Sequence, residues 1–219
     1  MIIEFLGVSG VGKTTVASVY KRKLESEGKT VVWDTYDLYA NKGWLSRNIS
    51  KAVCISWYAL SNWHWVQQYA AYLQKNEVSF RQKIKPLFNG IFLKLLLVKA
   101  KQDKRVHFFD EGSMQYLWAI KLRGKKHCTN DDIEKIETLF GLPDVLIVVT
   151  ASSETIMNRL LSRGEYTEIM NSGSLLESII EMSIVCHEIE AKVSSIIQTA
   201  IIENNGESIT DIEKLHFPY

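Results

Sequence analysis

The chain has 219 residues, of which 46% are apolar and 23% charged. That balance excludes disordered, collagen-like and coiled-coil proteins and favours one domain large enough to bury a real core. With 26 basic and 25 acidic side chains the net charge is +1, so nothing global argues for nucleic acid or an acidic membrane as partner.

Residues 1–6 read as a mostly apolar buried strand. No basic region precedes it and Glu4 interrupts its apolar run, so no secretory leader is expected. Gly7 to Gly12 form a glycine-punctuated loop. Val16, Val19, Tyr20 and Leu24 then share one face of a helix from Thr14 to about Glu25, with Gly28 as its stop. Thr30 to Trp33 form a second strand, ended by Asp34. Strand, helix and strand together make a βαβ unit and imply a parallel sheet.

Residues 44–100 have a different character. They hold Trp44, Trp57, Trp63 and Trp65, show helical periodicity, and are broken at Pro86 and at Asn89-Gly90. Two or three helices inserted between the second and third strands are expected. Ala52 to Gln74 is a run of 23 residues without a formal charge, too polar for a membrane span. It reads as a buried helix or an oligomer interface, with a membrane-surface contact as the lesser reading. Residues 81–105 carry eight basic side chains and one acid, whereas residues 129–219 carry five basic and 16 acidic ones. A middle this basic is either a solvated helix face or a surface for phosphates or an acidic partner.

Val106 to Phe109 form a third strand, running into Asp110-Glu111-Gly112. Ser113 to Leu122 is helical, and Asn130 or Asp131 caps a helix from Asp132 to Phe140, ended by Gly141-Leu142-Pro143. Val145 to Val149 is the fourth strand and Ser153 to Ser162 a helix. A polar segment, Glu165 to Ser174, precedes a long helix from Leu175 to about Thr199. Ile201-Ile202 is a short fifth strand and Ser208 to Leu215 a closing helix. The reading is a single α/β domain over residues 1–219, with a five-stranded parallel sheet and a helical insertion.

Gly7-Val8-Ser9-Gly10-Val11-Gly12-Lys13-Thr14 fits G-x-x-x-x-G-K-[ST]. Glycines let successive backbone N–H groups turn inward on phosphate oxygens, and the helix that follows points its positive end at the same anion. Gly7, Ser9, Gly10, Val11, Gly12, Lys13, Thr14 and Thr15 are the expected nucleotide contacts. Lys13 reaches the terminal phosphates and the Thr14 hydroxyl ligates Mg²⁺, so ATP and Mg²⁺ are the expected cofactors. The five histidines have no paired metal spacing. The three cysteines, odd in number and without metal-site spacing, read as reduced thiols of a cytoplasmic protein.

With these residues in place, the chain resembles the P-loop kinases of small molecules, the nucleoside and nucleoside-monophosphate kinase family, and thymidylate kinase in particular. Phe108-Phe109-Asp110 resembles the family's strand three, which ends in an acid near Mg²⁺. Leu142-Pro143-Asp144 resembles its Pro-Asp lead into strand four. Arg159-Leu160-Leu161-Ser162-Arg163-Gly164-Glu165 resembles its R-x-x-x-R-G-E lid. The resemblance implies a three-layer P-loop fold with strand order 2-3-1-4-5, a lid over about 159–174, and an acceptor pocket built by residues 44–100.

By the same resemblance Arg159 and Arg163 close over the phosphates, where a forked guanidinium suits phosphoryl oxygens. Asp110 serves Mg²⁺ through water. Asp34, ahead of Asp37, takes the proton of the acceptor hydroxyl. Arg81, Lys83 and Lys85 are the basic candidates on the acceptor side, and Asn204-Asn205-Gly206 matches the adenine-side loop by position. The chain departs from the family after Asp110. Thymidylate kinases have Asp-Arg there and deoxynucleoside kinases Glu-Arg-Ser, whereas this chain has Glu111. A carboxylate repels a nucleotide phosphate, so an uncharged hydroxyl acceptor such as a nucleoside or sugar fits Glu111 better.

The expected activity is therefore Mg-ATP-dependent phosphorylation of a small molecule on a hydroxyl. One rival is a nucleotide-binding switch that docks a protein or membrane; another is a kinase of nucleic-acid 5′ ends, against which the near-neutral charge speaks. The expected partners are the small-molecule acceptor and a second copy of the chain through the uncharged run. Nucleic acid is not expected.

Overall fold

The computed structural model describes residues 1–33, 44–76, 80–164 and 174–206, and of residues 44–50 and 80–83 the backbone alone. Asp34, Asp37, the lid from Glu165 onward and the expected closing helix lie outside the described residues, as do the side chains of Arg81 and Lys83.

Five strands form one parallel sheet: β1 (Ile2–Leu6), β2 (Val31–Trp33), β3 (Val106–Phe109), β4 (Val145–Thr150) and β5 (Gln198–Glu203). Their order is β2-β3-β1-β4-β5, the expected one. β1 lies at the centre, with Ile3 opposite Phe108 on one side and Val145 on the other. A strand enclosed by helices on both faces must be apolar throughout, and β1 is buried along its whole length, Glu4 included. Phe108 meets the edge of Phe5 at 5.2 Å and stacks on Tyr20 at 5.8 Å between ring centres, which joins β1, β3 and the first helix.

The described helices are α1 (Lys13–Ser26), α2 (Trp44–Ser61), α3 (Trp63–Lys75), α4 (Phe80–Gln102), α5 (Ser113–Gly124), α6 (Asn130–Phe140), α7 (Ser153–Arg163) and α8 (Leu175–Val193). Helices α2 to α4 form the insertion. Contrary to the expected breaks, Pro86 and Asn89-Gly90 lie inside α4. Tyr69 of α3 explains it. Its hydroxyl donates to the Pro86 carbonyl at 3.3 Å, and its ring packs so closely on Gly90 that a Cβ there would collide with it. The glycine serves helix–helix contact, and packing overrides the local signal.

The uncharged run is not one buried helix. It divides at Asn62 between α2 and α3, and Val53, Trp57, Leu60 and Trp63 are exposed. No described helix is long and apolar enough to cross a membrane. Two further boundaries differ. Thr129, not Asn130 or Asp131, caps α6, because its hydroxyl accepts from Asp132 N while the Asp132 carboxylate accepts from Thr129 N. Helix α8 ends at Val193, and β5 is six residues long because it pairs with the whole of β4.

The insertion is fastened to the rest by buried polar groups. Trp65 Nε1 donates to Leu139 O at 2.7 Å. Lys121 of α5 forms a buried ion pair with Asp132 of α6, and donates to Asn76 Oδ1 at 3.0 Å just past α3. Tyr72 of α3 donates to the other Asp132 oxygen at 2.9 Å. Burial pushes the Asp132 carboxyl up, but the bonds from Lys121, Thr129 and Tyr72 together outweigh it and hold the group below its ordinary value.

Lys121→Met leaves that carboxylate without its cation and is expected to cost about 3–5 kcal/mol of unfolding free energy at neutral pH, read by urea denaturation. A carboxyl depressed in the folded state contributes stability above its ordinary value of 3.8 and loses it as pH falls through the folded value. The difference between wild type and variant therefore shrinks below about pH 4. Equal midpoints at neutral pH would show that the pair does not anchor the insertion.

Candidate active site

The strand-ends of β1, β3, β4 and β5 open onto one edge of the sheet, where ligands of open α/β folds bind. From β1 the loop Gly7–Gly12 turns directly into α1. Gly12, at φ +93°, is the N-cap of α1, with Thr14 and Thr15 exposed in its first turn. The Lys13 ammonium folds back over the loop and donates to Gly7 O at 2.7 Å and Val8 O at 3.3 Å. Burial lowers the Lys13 pKa, and the neighbouring Cys186, Glu111 and Asp110 pull the other way. Both candidate carboxylates at the end of β3 thus act on the lysine of the loop.

The outer side of the loop is held by residues from two other elements. Arg159 of α7 donates to Val11 O at 3.0 Å and Gly10 O at 3.4 Å. Buried Asn204, following β5, donates to the same Val11 oxygen at 2.9 Å and accepts from Arg159 at 3.5 Å. The structure therefore places Arg159 and the Asn204-Asn205-Gly206 loop together against the phosphate loop. Arg163 is exposed, one helical turn further along α7, and Gly164 ends that helix.

On the inner side, Ser9, Lys13 and Glu111 line a cleft of about 450 Å³ that extends between α4 and α5, with Lys85, Asn89 and Arg123 on its walls. Of the residues expected from sequence, it gathers Ser9, Lys13, Lys85 and Glu111. Its α5 wall was not anticipated. Gln115, Ala119 and Arg123 recur every four residues after the Asp110-Glu111 strand-end, a helical spacing that was the available signal.

Nor was the role of Glu4 anticipated, although a carboxylate inside an apolar strand marked it. Glu4 Oε1 accepts from Ser113 N at 2.8 Å and Ser113 Oγ at 2.9 Å, and Oε2 accepts from Met114 N at 2.9 Å. These are the unpaired amides at the start of α5, where an anion is favoured. Burial nonetheless raises the Glu4 pKa against those three bonds. Gly7 N donates to Gln115 Oε1 at 3.2 Å, which ties the start of the loop after β1 to α5. Cys128 and Cys186 are not poised as nucleophiles, since burial pushes their thiols up to about 12.

A side chain at Gly12 would be strained by its φ of +93° and would run into Asn204 Nδ2, whereas Gly28, at φ +82°, faces open space. Gly28→Ala is therefore expected to cost only the backbone term, about 1–2 kcal/mol, with nucleotide binding retained. Gly12→Ala is expected to cost more and to abolish nucleotide binding. Denaturation and nucleotide titration of both variants check this; a Gly12→Ala protein that binds nucleotide like wild type would refute it.

No protein-family model matches the sequence. No curated protein matches it. Solved structures do match in fold. Deoxyadenosine kinase from M. mycoides with the products dCMP and a flexible dCDP bound is 16% identical, with a TM-score of 0.57, over 98% of this chain and 96% of that one. The same kinase with bound dATP gives 15% and 0.56, and with bound dCTP 16% and 0.51, at the same coverage. Likeness at this identity establishes the architecture alone: the described residues share the α/β fold of those structures.

Proposed function

We propose that the protein transfers a phosphoryl group from Mg-ATP to a hydroxyl of a small molecule held in the cleft between α4 and α5. The carrying observation is that one cleft has the phosphate-loop residues Ser9 and Lys13 at one end and an insertion-built wall along its length. Phosphoryl transfer asks a protein mainly to position the acceptor and to neutralise charge, and this arrangement supplies both.

Lys13 and the loop amides hold the terminal phosphates. Arg159, already braced on the loop carbonyls by Asn204, adds positive charge beside them, and Arg163 closes from the end of α7. Thr14 and Asp110 offer hard oxygens beside the loop, a donor set that fits Mg²⁺ completed by water and phosphate oxygens. Bound there, the cation would neutralise charge on the phosphates. Asp34, directly after β2, accepts the proton of the attacking hydroxyl, with Asp37 as the alternative. Glu111 keeps a phosphate off the reacting end, which favours a hydroxyl over a monophosphate acceptor.

The structures that share the fold are of deoxyadenosine kinase with deoxynucleotides bound, and this supports a nucleoside over a thymidylate-type acceptor. The docking-switch reading draws its support from the exposed Val53, Trp57 and Leu60 on α2.

Lys13→Ala is expected to lower kcat by about 10²–10³-fold or more while the thermal midpoint stays near wild type. Wild-type turnover in that variant would remove the kinase reading. Asp34→Asn is expected to lower kcat by about 10²–10⁴-fold with little change in the KM for ATP; an equal fall on Asp37→Asn and none on Asp34→Asn would transfer the role to Asp37.

A further inference from the structure

The two ends of the cleft differ in charge. Its near end holds Lys13 and Glu111. Gln115 lies at that end, tied to Gly7 N. Arg123 stands eight residues further along α5, about 12 Å at the rise of a helix. Lys85 stands on the opposite wall, one turn of α4 before Asn89. Both are exposed, and among the described residues neither forms an ion pair with a carboxylate; Arg123 makes a long bond to Ala119 O in its own helix, at 3.5 Å.

The polar groups between the two ends reinforce this asymmetry. Gly7 N can only donate, so Gln115 must turn its Oε1 to it and keep its NH₂ as the remaining group. Lys51 Nζ can only donate, so Asn89 must turn its Oδ1 to it at 3.3 Å and likewise keep its NH₂. Lysine and arginine have no acceptor at all. Beyond Glu111, these four groups offer hydrogen-bond donors and two positive charges that no described carboxylate pairs. Such a wall matches a ligand rich in acceptors and negatively charged at its far end.

We propose that the acceptor is an acid: it presents its reacting hydroxyl to the Lys13 and Glu111 end and carries an oxyanion, a carboxylate or a phosphate monoester, that Lys85 and Arg123 bind at the far end. The proposal rests on the kinase reading and narrows its substrate class. Glu111 excludes a phosphate at the reacting end only, and the two cations select for one at the other.

The test compares acceptors that differ by the acid alone, with ADP release as the readout. Adenosine is set against N6-succinyladenosine and adenosine 3′-monophosphate, and pantothenol against pantothenate. In at least one pair the acidic member is expected to have a kcat/KM at least tenfold higher, and the pair that shows it names the oxyanion. In the variant carrying Lys85→Gln and Arg123→Gln, both on exposed residues, that ratio is expected to fall at least tenfold through KM and not kcat. If the neutral member is preferred in every pair, or the ratio is the same in the variant, the acid-acceptor inference fails while acceptor-dependent ADP release keeps the kinase reading. If no compound stimulates ADP release, both fail.

Discussion

The carboxylate of Glu4, sealed in the middle strand of the sheet, is the group on which the geometry of the cleft depends. It receives the first two amides and the hydroxyl at the start of α5. Three residues later, just past the end of the strand, Gly7 N donates to Gln115. One short strand thus fixes both the phosphate loop, which grows from its end, and the helix that forms a wall of the cleft. Burying a carboxylate is costly, and the raised pKa registers that cost. What the buried anion contributes is a fixed distance between the group that would hold phosphates and the surface that would hold an acceptor. It also restricts the residue after Glu111: a Cβ at Gly112 would collide with the Glu4 carboxylate.

A second constraint comes from the insertion. Helix α3 is locked by Tyr72 and Asn76 onto the Lys121–Asp132 pair, and Tyr69 holds α4 at Pro86 and Gly90. Both locks use polar groups that would be expensive to bury unpaired, so the helices have few alternative positions. Lys51, reaching from α2, meets Asn89 and lies over the Phe92 ring at 4.4 Å, which brings a third helix to the cleft rim. The walls are therefore braced from outside, and their charges stand at set places.

The sheet and the glycine-rich loop between β1 and α1 were legible because their signals are local. Apolar runs of four to six residues mark buried parallel strands, and the glycine spacing of 7–12 followed by Lys13 has few other uses. The insertion was read as helical but misread in detail, because Pro86 and Asn89-Gly90 are local breakers that a partner 17 residues away overrides. Thr129 was missed as a cap because its evidence is reciprocal bonding with Asp132, which only geometry reveals. Glu4, Gln115 and Arg123 were missed for a related reason. Each acts across the sheet or along a cleft, between residues more than 100 positions apart or on a face defined only once α4 is in place. Lys85 and Glu111 could be named in advance because charge at a strand-end or in a basic stretch already narrows its purpose.

These features give the cleft a direction, with an anion beside the loop lysine at one end and two cations at the other. The most direct test is ADP release by the purified protein with Mg-ATP, alone and across nucleosides, nucleoside monophosphates and sugars, with the product identified by phosphorus NMR. The expected result is low release without acceptor, strong stimulation by a hydroxyl compound, and a new phosphate ester on that hydroxyl. Tight nucleotide binding with release that no acceptor changes would contradict it and leave the cleft as a docking surface of a nucleotide switch.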